Sequence, residues 1–175
     1  MNRTPPETDD IELSGYAPGA LGRIVELHGS YYHTYWDLDL YFEAKVATEL
    51  AAFLNRFDAQ RDGAWFAYAD KRVIGGIFID GADADGEGAR LRWFIVDPAY
   101  QGRGVGRRLI EAAVNFCDAH AYPRIYLTTF AGLDSASHLY QQCGFRVCGE
   151  MDATDLTGDP SKVELVMERF APTAS

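Results

Sequence analysis

Between Gln101 and Arg108 the chain reads QGRGVGRR, with Gly102, Gly104 and Gly106 at alternate positions directly before a helix-forming run. Glycine costs about 0.5–1 kcal/mol against alanine in regular structure. This density therefore marks a backbone shape that side chains would obstruct, or a ligand that comes close to the backbone. Arg90 to Asp97 reads as a strand that Pro98 stops, and Arg107 to His120 reads as a helix. A strand passing through glycines into a helix leaves the first N–H groups of that helix unpaired. With the helix dipole these groups attract anions. Arg103, Arg107 and Arg108 add local positive charge, which makes phosphate the expected ligand group. The Walker pattern requires Lys and then Ser or Thr after its second glycine, and neither is present. The dinucleotide fingerprint requires G-x-G-x-x-G, a spacing that Gly102-x-Gly104-x-Gly106 does not keep.

The elements that must hold this turn can be read from periodicity and turn chemistry. Residues 1–10 read as a disordered tail, 11–170 as one folded domain, and 171–175 as a C-terminal tail. A short strand near Ile11 leads to a helix opened by Pro18 and Gly19, with Ala20, Ile24, Leu27 and Tyr31 at helical spacing. A second helix fits Leu38 to Phe57, its stripe formed by Phe42, Val46, Leu50, Phe53 and Leu54. AWFAYADKRVIGGIFID reads as a hairpin turning at Asp70 and Lys71. GADADGEGA is an acidic connection to the strand RLRWFIVD. There, strict alternation would put Leu91, Trp93 and Ile95 on one face and Phe94 and Val96 on the other, as in an interior strand. After the glycine turn and its helix come the strand RIYLTTF and the short helix DSASHLYQQCGF, capped by Asp134 or Ser135 and ended by Gly144. The strands FRVCGEM and KVELVMERF close the chain, joined by a turn-rich segment. The order is β-α-α-β-β-β-α-β-α-β-β, an α/β (α+β) domain whose mixed, mostly antiparallel central sheet is flanked by helices. One βαβ unit makes part of that sheet parallel.

Composition narrows the classes. The chain has 175 residues, 47% hydrophobic and 13% aromatic, enough for one domain with a real core. Its formal net charge of -10 argues against general nucleic-acid binding and is compatible with a cationic small substrate. No apolar run reaches the length of a membrane span, and the polar N-terminus lacks an export signal of the usual type. Cys117, Cys143 and Cys148 are odd in number and lack paired metal-ligand spacing. No metal site is expected, and a reduced, cytoplasmic protein is the simplest reading.

The pattern that fits the turn is Gln101-x-x-Gly104-x-Gly106, which resembles the Q/R-x-x-G-x-G/A signature of the GCN5-related N-acetyltransferases. The likeness extends to VDPAYQGRGVGRRL after a strand, to LYQQCGF (Leu139 to Phe145) downstream, and to the element order from about Ile11 to Phe170. ELHGSYY, YFEAKVATELAAFLNRFD and RIYLTTF look most like the acetyltransferase domains fused to MarR-type regulators. The resemblance implies the acyl-CoA N-acyltransferase fold, acetyl-CoA as co-substrate, an amine acceptor, and dimers of the kind the family often forms. It implies that Gln101, Gly102, Arg103, Gly104, Val105 and Gly106 hold the pyrophosphate, and that the backbone of Phe94, Ile95 and Val96 pairs with the pantetheine amides. Tyr140 matches the tyrosine that often protonates the departing thiolate. Two departures stand out. Leu133 replaces an asparagine that contacts the pantetheine arm in many members. YLTTF, with Thr128 and Thr129, lacks the glutamate base that some members carry on that strand.

In this fold the region around HGSYYHTYW (His28 to Trp36) typically lines the acceptor site. Tyr31, Tyr32, Tyr35 and Trp36 could form an aromatic wall, with Glu26 or Glu43 attracting an ammonium, or they could build a small core under a loop. An amine must lose a proton before or during attack on a thioester. Glu26, His28, Glu43, or Asp97 through a water, are candidate bases, and His28 has the most suitable unperturbed pKa, near 6.5. Cys143 has no paired histidine that would make it a nucleophile. Direct attack of a primary amine, on a small molecule or a protein, in a ternary complex is the expected reaction. A CoA-binding sensor without turnover, and an aromatic-cage binding module, are the alternatives.

Overall fold

The structure, a computed structural model, describes residues 11–172, so the expected tail at 1–10 and the end of the C-terminal tail lie outside the described residues. β1 (Glu12–Ser14) leads to α1 (Ala20–Trp36), which Gly19 opens at φ 91°. α1 continues through the aromatic cluster, so His28 to Trp36 form its last turns. α2 (Leu40–Asn55) starts two residues after the expected Leu38 because the Asp39 carboxylate accepts from the Leu40 N–H at 2.8 Å and fixes the start there. β2 (Gly63–Ala69) and β3 (Arg72–Asp80) form the expected hairpin. Asp70 and Lys71 both take positive φ, 49° and 63°, the backbone of a type I′ turn that suits strand twist.

β4 (Ala89–Val96) passes through a short 3-10 turn, Pro98–Tyr100, into α3 (Val105–Ala119). β5 (Arg124–Phe130), α4 (Asp134–Gln142), β6 (Arg146–Asp152), α5 (Thr154–Thr157) and β7 (Val163–Phe170) complete the chain. Two local expectations change. Leu133 occupies the N-cap of α4 and no side chain caps that helix, so neither Asp134 nor Ser135 does. α5 is a single turn inside the turn-rich segment. It is held by side chains, Asp152 accepting from the Thr154 N–H at 2.8 Å and Thr157 donating to the Ala153 carbonyl at 2.9 Å. It therefore carries no hydrophobic period to read.

The seven strands form one sheet in the order β1-β2-β3-β4-β5-β7-β6, antiparallel throughout except for the parallel β4–β5 pair. This is the mixed, mostly antiparallel α/β sheet flanked by helices that the sequence predicts. Between Gly76↔Ile95 and Phe78↔Arg92 the register slips, and Trp93 sits there with φ 48°. Two β4 residues thus oppose one on β3, a bulge that breaks the alternation. Leu91 consequently shares the α3 side with Phe94 and Val96, while Trp93 and Ile95 face α1 and α2. The strict two-face pattern expected for RLRWFIVD is corrected accordingly.

One core lies between the sheet and α3, where Leu109, Ile110, Ala113, Val114 and Cys117 form the buried stripe. Each large aliphatic side chain buried there contributes about 1.5–3 kcal/mol. A second lies between the sheet and α1 and α2, around Ile24, Leu50, Phe53, Phe66 and Phe78. A third, smaller cluster joins Leu38, Phe42, Val46, Phe130 and Ala153.

Candidate active site

The β4–β5 ladder holds only at Ala89↔Ile125 and Arg90↔Tyr126. Past those pairs the bulge at Trp93 turns β4 away, and the strands diverge around a cleft of about 910 Å³. Backbone polar groups need partners, and on the side facing β5 the β4 edge from Leu91 to Val96 has no paired strand among the described residues.

The glycine turn closes one end of the cleft. Gly102 and Gly104 take φ 75° and 78°, and a Cβ at either would meet no heavy atom within 4 Å. Gly104 is the N-cap of α3 and offers no side-chain acceptor, so the amides of the first α3 turn open outward. Gly106 serves a different purpose: a Cβ there would come within 3.2 Å of Leu139 Cδ2 and Phe94 Cζ, so its absence lets α3 start tight against β4 and α4. The side chain of Gln101 donates to the Val96 carbonyl at 3.1 Å, pinning the turn back onto β4. Arg107 lines the cleft and donates to the Gln142 side-chain carbonyl. Arg103 lies over the Tyr100 ring at 5.3 Å, and Arg108 holds the Ile11 carbonyl at 2.9 Å, away from the cleft. The bare amides, the open αL glycines and Arg107 together suit a pyrophosphate.

Tyr140 lies on the cleft wall, 5% exposed, edge-on to Phe94 and to Phe145. Burial pushes its phenol well above the ordinary value, so it stays protonated at neutral pH and keeps its O–H as a donor. Cys143, three residues on, is half-buried and its thiol is likewise held up by burial, which disfavours a thiolate. Leu133, at the position of the family's asparagine, lines the cleft as an apolar surface.

The far end is walled by aromatic rings. Tyr32 contacts Phe42 and Phe130 at centroid distances of 4.8 and 5.5 Å, and Trp36 stacks on Phe130 at 5.1 Å. Within this wall stand Glu164 on β7, Thr128 on β5, Glu49 on α2, and Arg90 and Arg92 on β4. Glu164 is 7% exposed, and burial raises its carboxyl pKa against the opposing hydrogen bond from Thr128 and the charge of Arg90. Arg92 donates to Glu49 at 2.6 Å, approaches Asp80 at 3.8 Å, and lies over the Trp93 ring at 4.0 Å. Burial, with the charge of Arg90, lowers its pKa to about 10.

The cleft brings together Phe94, Ile95, Val96, Gln101, Gly102, Gly104, Gly106, Tyr140, His28, Tyr31 and Tyr32 of the residues singled out in the sequence. Val105 lies beneath the turn in the core, 1% exposed. Glu26 and Asp97 both pair with Arg23, at 2.8 and 2.7 Å, beside a separate depression of about 310 Å³. Glu43 is exposed, and its carboxylate packs against Gly29 of α1. None of these three carboxylates lines the main cleft. His28 does, but its Nδ1 lies 2.8 Å from the Ile24 carbonyl and burial lowers its pKa to about 4. The ring is therefore neutral at pH 7 and a weak base, and the ordinary pKa expected of it does not apply.

Glu164, Glu49, Arg90 and Arg92 are charged cleft residues that the sequence patterns did not single out. A signal existed for the arginines: RLR places two cations on one face of a strand in an acidic chain.

The model of the Acetyltransferase (GNAT) family matches residues 23–145, from α1 through LYQQCGF. The spermine/spermidine N(1)-acetyltransferase of Bacillus subtilis (strain 168) is 35% identical over 74 residues, 40% of this chain and 48% of that protein. The N-acetylaspartate synthetase of Homo sapiens is 28% identical over 130 residues, 73% of this chain and 42% of that protein. The chain thus spans about half the length of the curated relatives it matches. An acetyltransferase from Streptococcus agalactiae 2603 superposes with a TM-score of 0.70 at 22% identity, covering 92% of this chain and 98% of that one, a likeness of fold. The matched segment carries the glycine turn, β4 and Tyr140 together, and the chain belongs to the Acetyltransferase (GNAT) family.

Proposed function

We propose that residues 11–170 form a single N-acetyltransferase domain that transfers the acetyl group of acetyl-CoA to a primary amine. The observation that carries this reading is the continuity of one cleft. It runs from the open amides of the α3 N-terminus, past the buried phenol of Tyr140, to the buried carboxyl of Glu164. Family membership supports it, as do relatives whose names give amine acetylation. The likeness of α1, α2 and β5 to domains fused to MarR-type regulators rests on their sequences.

In this reading the amides and αL glycines from Gly102 to Gly106 hold the pyrophosphate, Gln101 braces the turn, and the β4 edge at Phe94 to Val96 pairs with the pantetheine. Bound acetyl-CoA supplies an activated thioester carbonyl. Glu164 receives the proton of the amine: its raised pKa lies closer to neutrality than that of an ordinary carboxyl, which suits a base. Tyr140, held protonated by burial, gives its proton to the departing sulfur. The aromatic wall excludes water from the approach. Glu164 removes the motive for a turnover-free sensor, which was the lack of a carboxylate in YLTTF. The test is thiol release from acetyl-CoA across amines of different chemistry: polyamines, amino acids, aminoglycosides and peptide N-termini. Acetyl transfer to at least one class is expected, and CoA binding without release from any of them overturns the proposal.

A further inference from the structure

We propose that the acceptor is a small amino acid whose carboxylate is held by Arg90; this identifies the substrate class of the acetyl transfer proposed above and rests on that reading. The cleft carries an imbalance of charge. Arg90 and Arg92 stand two residues apart on β4 and both line the cleft. Arg92 is satisfied by Glu49 and Asp80. Arg90 has no carboxylate within ion-pair distance among the described residues, and its Nε is buried without a hydrogen-bond partner. The Tyr126 ring lies 5.9 Å from the guanidinium, and Glu164 and Arg92 feel its charge without Glu164 closing an ion pair with it. A buried donor left unpaired costs about 1–3 kcal/mol, and more when charged. A cation kept in that state at the wall of a cleft is a binding group awaiting an anion.

Place and geometry identify that anion. Arg90 lies at the closed apex of the β4–β5 divergence, six residues before Val96 along β4. At about 3.3 Å per residue that is roughly 20 Å from the glycine turn, so the pyrophosphate held there does not serve it. The free Nε–H lies on the guanidinium edge that matches the two oxygens of a carboxylate. Glu164 and Glu49 line the same end, so a dianion such as a phosphate monoester meets repulsion, as does a second acidic group. The same carboxylates favour an ammonium. One end of the cleft therefore offers a carboxylate site at Arg90 and an amine site at Glu164. A polyamine, cationic along its length, would bring charge onto Arg90.

The test uses binding as well as turnover. The wild type saturated with CoA is titrated calorimetrically with a panel of L-amino acids, their carboxamides, and spermidine. At least one amino acid should bind, with its carboxamide weaker by about 10- to 150-fold, the range of a charge-assisted hydrogen bond. In Arg90→Gln that discrimination should collapse towards unity while CoA affinity is unchanged, and Arg90→Lys should recover part of it. In steady-state assays Arg90→Gln should raise the KM for the amino acid more than it lowers kcat. Equal binding of acid and amide by the wild type, binding of spermidine alone, or binding of none of the acids overturns the proposal. So does a folded Arg90→Gln that still prefers the acid. If acetyl transfer itself is the part that fails, thiol release is absent with every acceptor while the preference for acid over amide in the CoA complex persists.

Discussion

Gly104→Ala isolates the glycine turn. An L-residue held in the left-handed region costs about 1–2 kcal/mol. At Gly104, with φ 78°, the added Cβ meets no heavy atom within 4 Å, so that backbone strain is the whole local cost. For a domain of this size each kcal/mol shifts Tm by about 2–4 °C, so the melting point should fall by about 2–8 °C with a cooperative transition retained. The ligand consequence is larger. Relaxing the strain rotates the N-cap out of the left-handed region and tilts the first amides of α3 away from the cleft. Losing one hydrogen bond to a charged group costs about 1.5–3 kcal/mol, which weakens CoA about 10- to 150-fold. Calorimetry with CoA measures that loss, and the same titration with pantetheine, which carries no pyrophosphate, is the control and should be unaffected. A folded Gly104→Ala whose CoA affinity stays within about twofold of the wild type would refute the reasoning. So would an equal loss for pantetheine, since the turn would then be shaping the cleft rather than holding phosphate.

The other predictions concern the two proton-transferring groups. Tyr140→Phe removes one oxygen from a buried ring whose edge contacts with Phe94 and Phe145 remain. Turnover should fall by about 10²-fold or more with the KM for acetyl-CoA little changed, and full turnover in steady-state assays would remove Tyr140 from the mechanism. Glu164→Gln should lower kcat by about 10²-fold and abolish the acidic limb of the pH–rate profile; an unchanged limb assigns that ionisation elsewhere. The same variant has a stability signature. Burial raises the Glu164 pKa in the folded state, so the fold binds this proton more tightly than the unfolded chain, and the wild type loses stability as pH climbs through the raised pKa. Glutamine has no such loss. The Tm of Glu164→Gln relative to wild type should therefore rise as pH climbs from the ordinary carboxylate range through the raised pKa, and a constant difference in melting scans counts against a buried, titrating carboxyl.

What the sequence made legible was what neighbouring residues dictate. The glycine turn, Pro98 and the α3 stripe declare themselves within a few residues, because unpaired amides, φ restriction and helical period are local physics. The Asp70-Lys71 hairpin is of the same kind. The acceptor end was obscure because it is assembled across the chain: Glu49 from α2, Arg90 from β4, Thr128 from β5 and Glu164 from β7 meet only in the folded sheet. Glu164 also lies beyond the segment matched by the family model, which ends at Phe145. Glu26 and Glu43 drew attention by proximity to the aromatic run, yet α1 turns Glu26 towards Arg23 and α2 leaves Glu43 outside the cleft. The bulge at Trp93 defeated simple alternation, since one positive φ inverts the facing of every residue on one side of it.

The narrow β4–β5 junction has a mechanical consequence. Among the described residues, two residue pairs are all that join the half-sheet β1–β4 to the half-sheet β5–β7–β6 in a strand ladder. The rest of the joint is the core under α3, where Leu109, Ile110 and Ala113 share one cluster with Ile77 and Leu91 from one half and Ile125, Leu127 and Met167 from the other. α3 packs mainly on β2, β3 and β4 of the first half, and Ile125, Leu127 and Met167 reach the same core from the second. The first half is therefore a sheet backed by its own helix, and the second is joined to it through shared side chains more than through a backbone ladder. A change of side-chain volume in that shared core, far from any reacting atom, is a change in how the two halves meet.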